Sequence, residues 1–227
     1  MARYPAEHKG ETRARILAAS DALMKDRGIE AASVDAVMRA AGLTVGGFYA
    51  HFASKEELAS ETLLHGLTRS FDRMVDRLDG ATGGEWVRGM ISAYLAQAED
   101  PDLAHACPMT LLLADVARSE DTRKRRFADV TRAMLDRVVG HFPARGGLSP
   151  RETALATYAT LVGAVALART TPSRTSRRTI VASCERMLLA WLGLDGVAPP
   201  SEPPAAAPAR GPGAGARTRR SRSRRAG

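Results

Sequence analysis

Residues 33–52, SVDAVMRAAGLTVGGFYAHF, constrain this chain more than any other stretch. Val34, Val37, Met38 and Ala41 recur at i, i+3, i+4 and i+7, which places them on one helical face, and Ser33 stands at the N-cap position. Gly42 supplies the permissive backbone that a helix end requires, Leu43 is the apolar anchor of a turn, and Thr44 restarts the chain as a second N-cap. Phe48 and Phe52, four apart, share a buried face, which leaves Thr44, Val45, Gly47, Tyr49 and His51 to point elsewhere. The expected unit is a helix, a tight turn and a second short helix. Gly46 and Gly47 each cost about 1 kcal/mol against alanine inside a helix, and close backbone approach to another surface would compensate.

Helical spacing continues on both sides. Residues 11–28 read as a first helix with Ile16, Leu17, Ser20, Leu23 and Met24 inward and Gly28 as its stop, preceded by a polar arm over residues 1–10. Arg3 and Lys9 on that arm are either DNA contacts or part of a solvated terminus. Ser54 and Glu57 have the spacing of a capping box, and Leu64, Leu67, Phe71, Met74, Val75 and Leu78 carry one long helix onward from it. Further helices are expected over residues 85–98, 109–116, 121–142, 150–169 and 176–192, the fourth opened by Ser149, Pro150 and Glu152. The fold class is therefore all-α, with about nine helices. The helix at 150–169 is apolar nearly all round, through Leu155, Tyr158, Leu161, Val162, Val165 and Leu167, so it needs a second partner. The last helix lines up Ile180, Cys184, Met187, Leu188 and Trp191, and Gly163 permits close packing. These two helices are expected to form a four-helix homodimer interface.

The formal charge of +8 is concentrated at the C-terminal end, where residues 201–227 hold seven arginines against the single acid Glu202. Residues 1–60 hold eight basic and eight acidic side chains, so DNA affinity in the head must come from arrangement and not from bulk charge. Residues 195–227, rich in Arg, Pro and Ala, have the composition of disorder; the arginines either bind DNA through counterion release or merely solubilise. No apolar run of about 18 residues suggests a membrane span, and the N-terminus lacks a signal-peptide core. A soluble cytoplasmic protein with reduced Cys107 and Cys184 is expected. The five histidines are scattered, without HExxH, P-loop, GxSxG or paired CxxC, so neither catalysis, a cofactor nor a metal is expected.

The segment GLTVGGFYAHFASKEEL, residues 42–58, resembles the recognition segment of the TetR family of bacterial transcriptional repressors. The resemblance covers roughly residues 11–192 in helix count, its sequence-specific part being the head and first linker. It implies a helix-turn-helix DNA-binding domain over residues 1–53 and an effector-binding, dimerising domain over 54–194. It implies a DNA-facing set of Ser33, Thr44, Val45, Gly46, Gly47, Tyr49, His51 and Lys55, with Tyr49, His51 and Lys55 on phosphates. The expected partner is double-stranded DNA carrying an inverted repeat. Trp86, Met90, Tyr94, Cys107, Met109, Phe127 and Tyr158 lie on the helices that enclose the family's effector cavity, and they serve equally well as core. Their lack of charge suggests a small hydrophobic effector. Cys107, at a helix start between His105 and Pro108, is the candidate for a thiol that senses oxidants or electrophiles. Two other classes remain: a helical ligand-binding protein without specific DNA binding, and a non-specific DNA-coating protein driven by the tail.

Overall fold

The computed structural model describes residues 6–103 and 106–198, and every regular element among them is helical. The α-helices are α1 (Ala6–Arg27), α2 (Val34–Ala40), α3 (Lys55–Arg77), α4 (Gly83–Ala96), α5 (Pro108–Arg118), α6 (Asp121–Val138), α7 (Pro150–Arg169) and α8 (Arg174–Leu192). A 3-10 helix, Val45–Ala50, stands between α2 and α3 and brings the set to the expected nine; a further 3-10 turn, Val139–His141, prolongs α6. Arg3, His105 and the arginines of the C-terminal segment lie outside the described residues.

Local signals account for most boundaries. The Ser33 hydroxyl accepts the Ala36 N–H at 3.2 Å to start α2. That helix ends in a Schellman arrangement, with Leu43 N–H to Met38 O at 2.9 Å, Gly42 N–H to Arg39 O at 3.0 Å, and Gly42 at φ +69°. Ser149 and Glu152 close a full capping box on α7. At α3 the box is displaced: Ser54 accepts from Glu57 N–H at 3.1 Å, but the Glu57 carboxylate takes the N–H of Ala53, at 2.5 Å. Thr44 occupies the N-cap of the 3-10 helix without a side-chain hydrogen bond. Helix α1 starts at Ala6, five residues before the expected start, so Lys9 belongs to the helix and not to a polar arm.

Two apolar clusters organise the packing. Ile16, Leu17, Val37, Met38, Ala41, Phe48, Phe52 and Leu58 form a small one that holds α1, α2, the 3-10 helix and the first turn of α3 together. A larger one runs through α3 to α8 and reaches back to Met24, Ile29 and Ala32. Core packing therefore crosses residue 53 in both directions: Leu58 belongs with the head, and the end of α1 belongs with the body.

The junction of α1, α3 and α5 is tight. Lys25 and Asp21 form a buried ion pair at 2.8 Å, one turn apart on α1. Facing it, Gly66 of α3 has so little room that an added Cβ would stand 2.7 Å from Asp21 Oδ1 and 3.1 Å from Pro108 Cγ at the start of α5.

Candidate DNA-contact surface and ligand cavities

Phe48 and Phe52 are each 1% exposed, their rings 5.8 Å apart, so the 3-10 helix is pinned by one side only. The opposite side is open. Tyr49 is 75% exposed and Val45 44%, with Thr44 and Gly46 beside them in solvent. A Cβ on Gly46 would meet nothing within 4 Å, and one on Gly47 only Met38 Cε at 3.9 Å; neither glycine has positive φ. Nothing within the described chain requires glycine at either position. The exposed face of this helix is thus nearly bare backbone flanked by Thr44, Val45 and Tyr49.

The cations around this face are largely engaged. Lys55 Nζ donates to the Glu30 backbone carbonyl at 2.7 Å and lies 3.6 Å from its carboxylate. Arg39 pairs with Asp35, and Arg13 pairs with Glu61 while its guanidinium lies 4.6 Å from the centre of the Phe52 ring. Arg15 donates to Ala41 O at 2.6 Å and so secures the end of α2. His51 is half-buried, and its Nδ1 is enclosed without a hydrogen-bond partner. Burial, then the charges of Lys9 and Arg13, hold its pKa below the ordinary 6.5. Ser33 is occupied as the cap of α2.

The body contains neighbouring spaces that share walls. An apolar cavity of about 30 Å³ is bounded by Phe71, Met74, Trp86, Met90, Met134 and Tyr158, among others. A second, also about 30 Å³, shares Phe71, Met74 and Tyr158 with the first and adds Tyr94, Gln97 and Cys107. The Tyr94 and Tyr158 rings meet edge-on at 5.7 Å, and burial pushes both phenols well above their ordinary range, reinforced by Cys107. Cys107 is 4% exposed and stands at the N-cap position of α5 without a side-chain capping bond; its N–H donates to Gln97 Oε1 at 2.7 Å. Beyond Tyr94 and Met74 lies a polar cleft of about 280 Å³.

Residues 16–62 match the family model described as bacterial regulatory proteins, tetR family. Residues 16–62 carry the sequence of that family's N-terminal region, and the chain has the fold of TetR-family regulators. A curated relative, the uncharacterized HTH-type transcriptional regulator YfiR of Bacillus subtilis (strain 168), is 33% identical over 89 residues, which span 39% of this chain and 42% of that protein. A TetR transcriptional regulator from Chloroflexus aurantiacus J-10-fl superposes with a TM-score of 0.66 at 24% identity, covering 82% of this chain and 96% of the other. The reduced form of Escherichia coli NemR superposes with a TM-score of 0.69 at 19% identity, covering 82% and 100%. At these identities the two structures speak for the fold.

Within the segment that matches the family model, Val45, Gly46, Gly47 and Tyr49 lie on one short helix, with Thr44 and His51 at its two cap positions and Lys55 at the next helix start. Of the residues assigned to an effector pocket, Trp86, Met90, Tyr94, Cys107 and Tyr158 border the two small cavities, whereas Met109 and Phe127 pack outside them. Sequence reasoning missed Phe71 and Met74, read as linker packing, and Gln97, Arg73 and Arg77. A readable signal existed for the arginines: Arg69, Arg73 and Arg77 repeat at i, i+4 and i+8, a like-charge series that an isolated helix disfavours. Among the described residues no helix is long and apolar enough to cross a membrane.

Proposed function

We propose that this TetR-family protein is a DNA-binding transcriptional repressor, a homodimer that leaves an inverted-repeat operator when a small effector occupies the body. The observation that carries the reading is the open backbone at Gly46 and Gly47 beside exposed Val45 and Tyr49. Two glycines that destabilise a helix, and that no neighbour in the chain demands, leave a surface on which a major-groove edge can rest. Two such heads about a two-fold axis meet DNA about 34–36 Å apart.

The dimer assignment is supported by the outer face of α7. Leu155 and Leu167 there are 51% and 58% exposed, with exposed Ala159 and Gly163 between them at four-residue spacing, and Met187 on α8 is 49% exposed. Gly163 has open space where a Cβ would stand. An apolar stripe of this kind, with small residues at its centre, suits close packing against the same pair of helices in a second copy.

Communication between effector and head is supported by α3, whose first turn carries Lys55 and whose later turns supply Phe71 and Met74 to the cavity walls. A packed helix moves as a unit, so displacement at Met74 is felt at Lys55. On the operator, Lys55 exchanges its Glu30 carbonyl for a phosphate.

Replacing Gly46 by alanine tests the reading. Stability is expected to stay or rise by up to about 1 kcal/mol, while operator affinity falls about tenfold or more. Unchanged binding to the gene's own upstream DNA in fluorescence anisotropy would leave a helical ligand-binding protein as the better description. A second expectation concerns pH. The His51 pKa lies below 6.5 in the free protein and rises beside a phosphate, so DNA binding takes up a proton. Affinity then strengthens as pH falls through the bound-state pKa and levels off below the free-state value, by at most about tenfold per pH unit per head. His51→Gln should flatten this profile. The sign for folding is opposite: the depressed folded pKa makes His51 a contribution that is present above 6.5 and lost as pH falls.

A second reading, a repressor that senses electrophiles through Cys107, is favoured by the placement of this residue on the inner cavity beside Tyr94 and Tyr158. N-ethylmaleimide is then expected to release DNA from the wild type and from Cys184→Ser, but not from Cys107→Ser. Release that persists in Cys107→Ser removes this reading.

A further inference from the structure

The polar cleft and the two small cavities lie side by side, since Met74 and Tyr94 border both the cleft and the inner cavity, and Met74 and Tyr158 border both cavities; shifts of these shared side chains would join the three into one passage. Its two ends differ in chemistry. The outer end carries Arg73 and Arg77, one turn apart on α3, together with Ser70, Gln97 and Asp100. The inner end is walled by Phe71, Trp86, Met90 and Met134.

Three features at the outer end call for an anion. Neither Arg73 nor Arg77 forms a salt bridge among the described residues, although Arg137 on the neighbouring α6 reaches Asp72 at 2.6 Å. Asp100, the acid on this cleft, accepts the Asp102 N–H at 2.9 Å and forms no ion pair with either arginine. Arg69, Arg73 and Arg77 face one another along α3; burial first, then the charges of Arg69 and Arg77, push the Arg73 guanidinium below its ordinary range, against a smaller pull from Asp21 and Cys107. Farther in, the Tyr94 hydroxyl is buried without a hydrogen-bond partner on the wall of the passage.

We propose that the passage binds an amphipathic monocarboxylate, its carboxylate held by Arg73 and Arg77 and its apolar body reaching past Tyr94 to Phe71, Trp86 and Met90. The inference rests on the effector-controlled repressor reading and changes the ligand from a plain hydrophobe to an acid with an apolar tail. A guanidinium matches a carboxylate in a planar, two-point contact, and the added negative charge relieves the repulsion along α3. A neutral molecule of the same shape leaves both arginines unpaired, and a cationic one is repelled. Because both arginines sit on α3, the acid acts on the helix that leads to Lys55.

The test compares decanoate, decan-1-ol and decyltrimethylammonium, each below its micelle-forming concentration, by calorimetric titration of the full-length protein and by release of bound DNA. Decanoate is expected to bind at least about tenfold more tightly than decanol, the margin of a hydrogen bond to a charged group, and decyltrimethylammonium least. Arg73→Gln/Arg77→Gln should erase that margin without changing decanol affinity, Arg73→Lys/Arg77→Lys should keep most of it, and circular dichroism should show all variants folded. Equal binding of decanoate and decanol, or a margin that survives Arg73→Gln/Arg77→Gln, overturns the acid assignment and leaves an effector-binding body intact. Failure of all three to bind, with the head still on its DNA, overturns both the acid assignment and the cavity as an effector site.

Discussion

Asp21→Ala is expected to lower the free energy of unfolding by about 3–5 kcal/mol, the cost of removing one member of a buried ion pair. The Lys25 side chain is 1% exposed and that of Asp21 11%, with 2.8 Å between their charged atoms. Without the carboxylate, the buried Lys25 ammonium loses its ion-pair partner in a poor solvent or drags the end of α1 outward; either route is costly. Domains of this kind have about 5–15 kcal/mol in total, so the variant should unfold at a much lower urea concentration. The double replacement Asp21→Leu/Lys25→Met removes both charges and should recover most of the loss. If Asp21→Ala alone shifts the urea midpoint by an amount typical of a surface pair, under about 1 kcal/mol, the ion pair contributes nothing special to the junction.

Gly66→Leu is expected to be comparably damaging, by at least about 3 kcal/mol. Even a Cβ at this position would stand 2.7 Å from Asp21 Oδ1 and 3.1 Å from Pro108 Cγ. The Asp21 carboxylate is fixed by Lys25, and the Pro108 ring cannot rotate aside, so α1 and α5 must both move back from α3. Gly66→Ala should lose less, because alanine's better helix propensity, about 1 kcal/mol, opposes the crowding. Two-state urea melts of both variants check the ranking. Since the clash is partly with Asp21, the Gly66→Ala penalty should shrink in an Asp21→Ala background, a departure from additivity that a double-mutant cycle reads directly.

The contrast between these sites and the head explains what a sequence reader sees. Caps and apolar stripes are local: Ser33, Gly42, Ser149 and Glu152 act within four residues, and Val37, Met38, Phe48 and Phe52 reveal their shared face by spacing alone. The TetR-family fold was therefore legible, and so was the buried pairing of Phe48 and Phe52 that leaves the other side of the 3-10 helix bare. Asp21 and Lys25 have the spacing of an ordinary exposed helix pair, and only the tertiary approach of Gly66 and Pro108 buries them. Lys55 looked free because its partner is the backbone of Glu30, which no side-chain pattern reports. Phe71 and Met74 had the right period for packing, but the period cannot say whether a side chain meets a neighbour or a void. Helix α1 ran past its expected start because Gly10 sits on an exposed turn where a missing side chain is tolerated.

The pairing of Arg13, Arg39 and Lys55 bears on how such a protein is partitioned over a chromosome. Random duplex attracts a protein through free positive charge, and a genome offers about 10⁶–10⁹ competing sites. With Arg39 tied to Asp35, Arg13 to Glu61 and Lys55 to Glu30, the head presents little unspent charge to arbitrary sequence. On the proposed repressor reading, few copies are then sequestered on decoys, and occupancy of an operator would depend on the match that draws Lys55 away from Glu30. The chain's excess of formal positive charge lies instead with the seven arginines beyond residue 201, at the opposite end of the polypeptide from the segment proposed to read the operator.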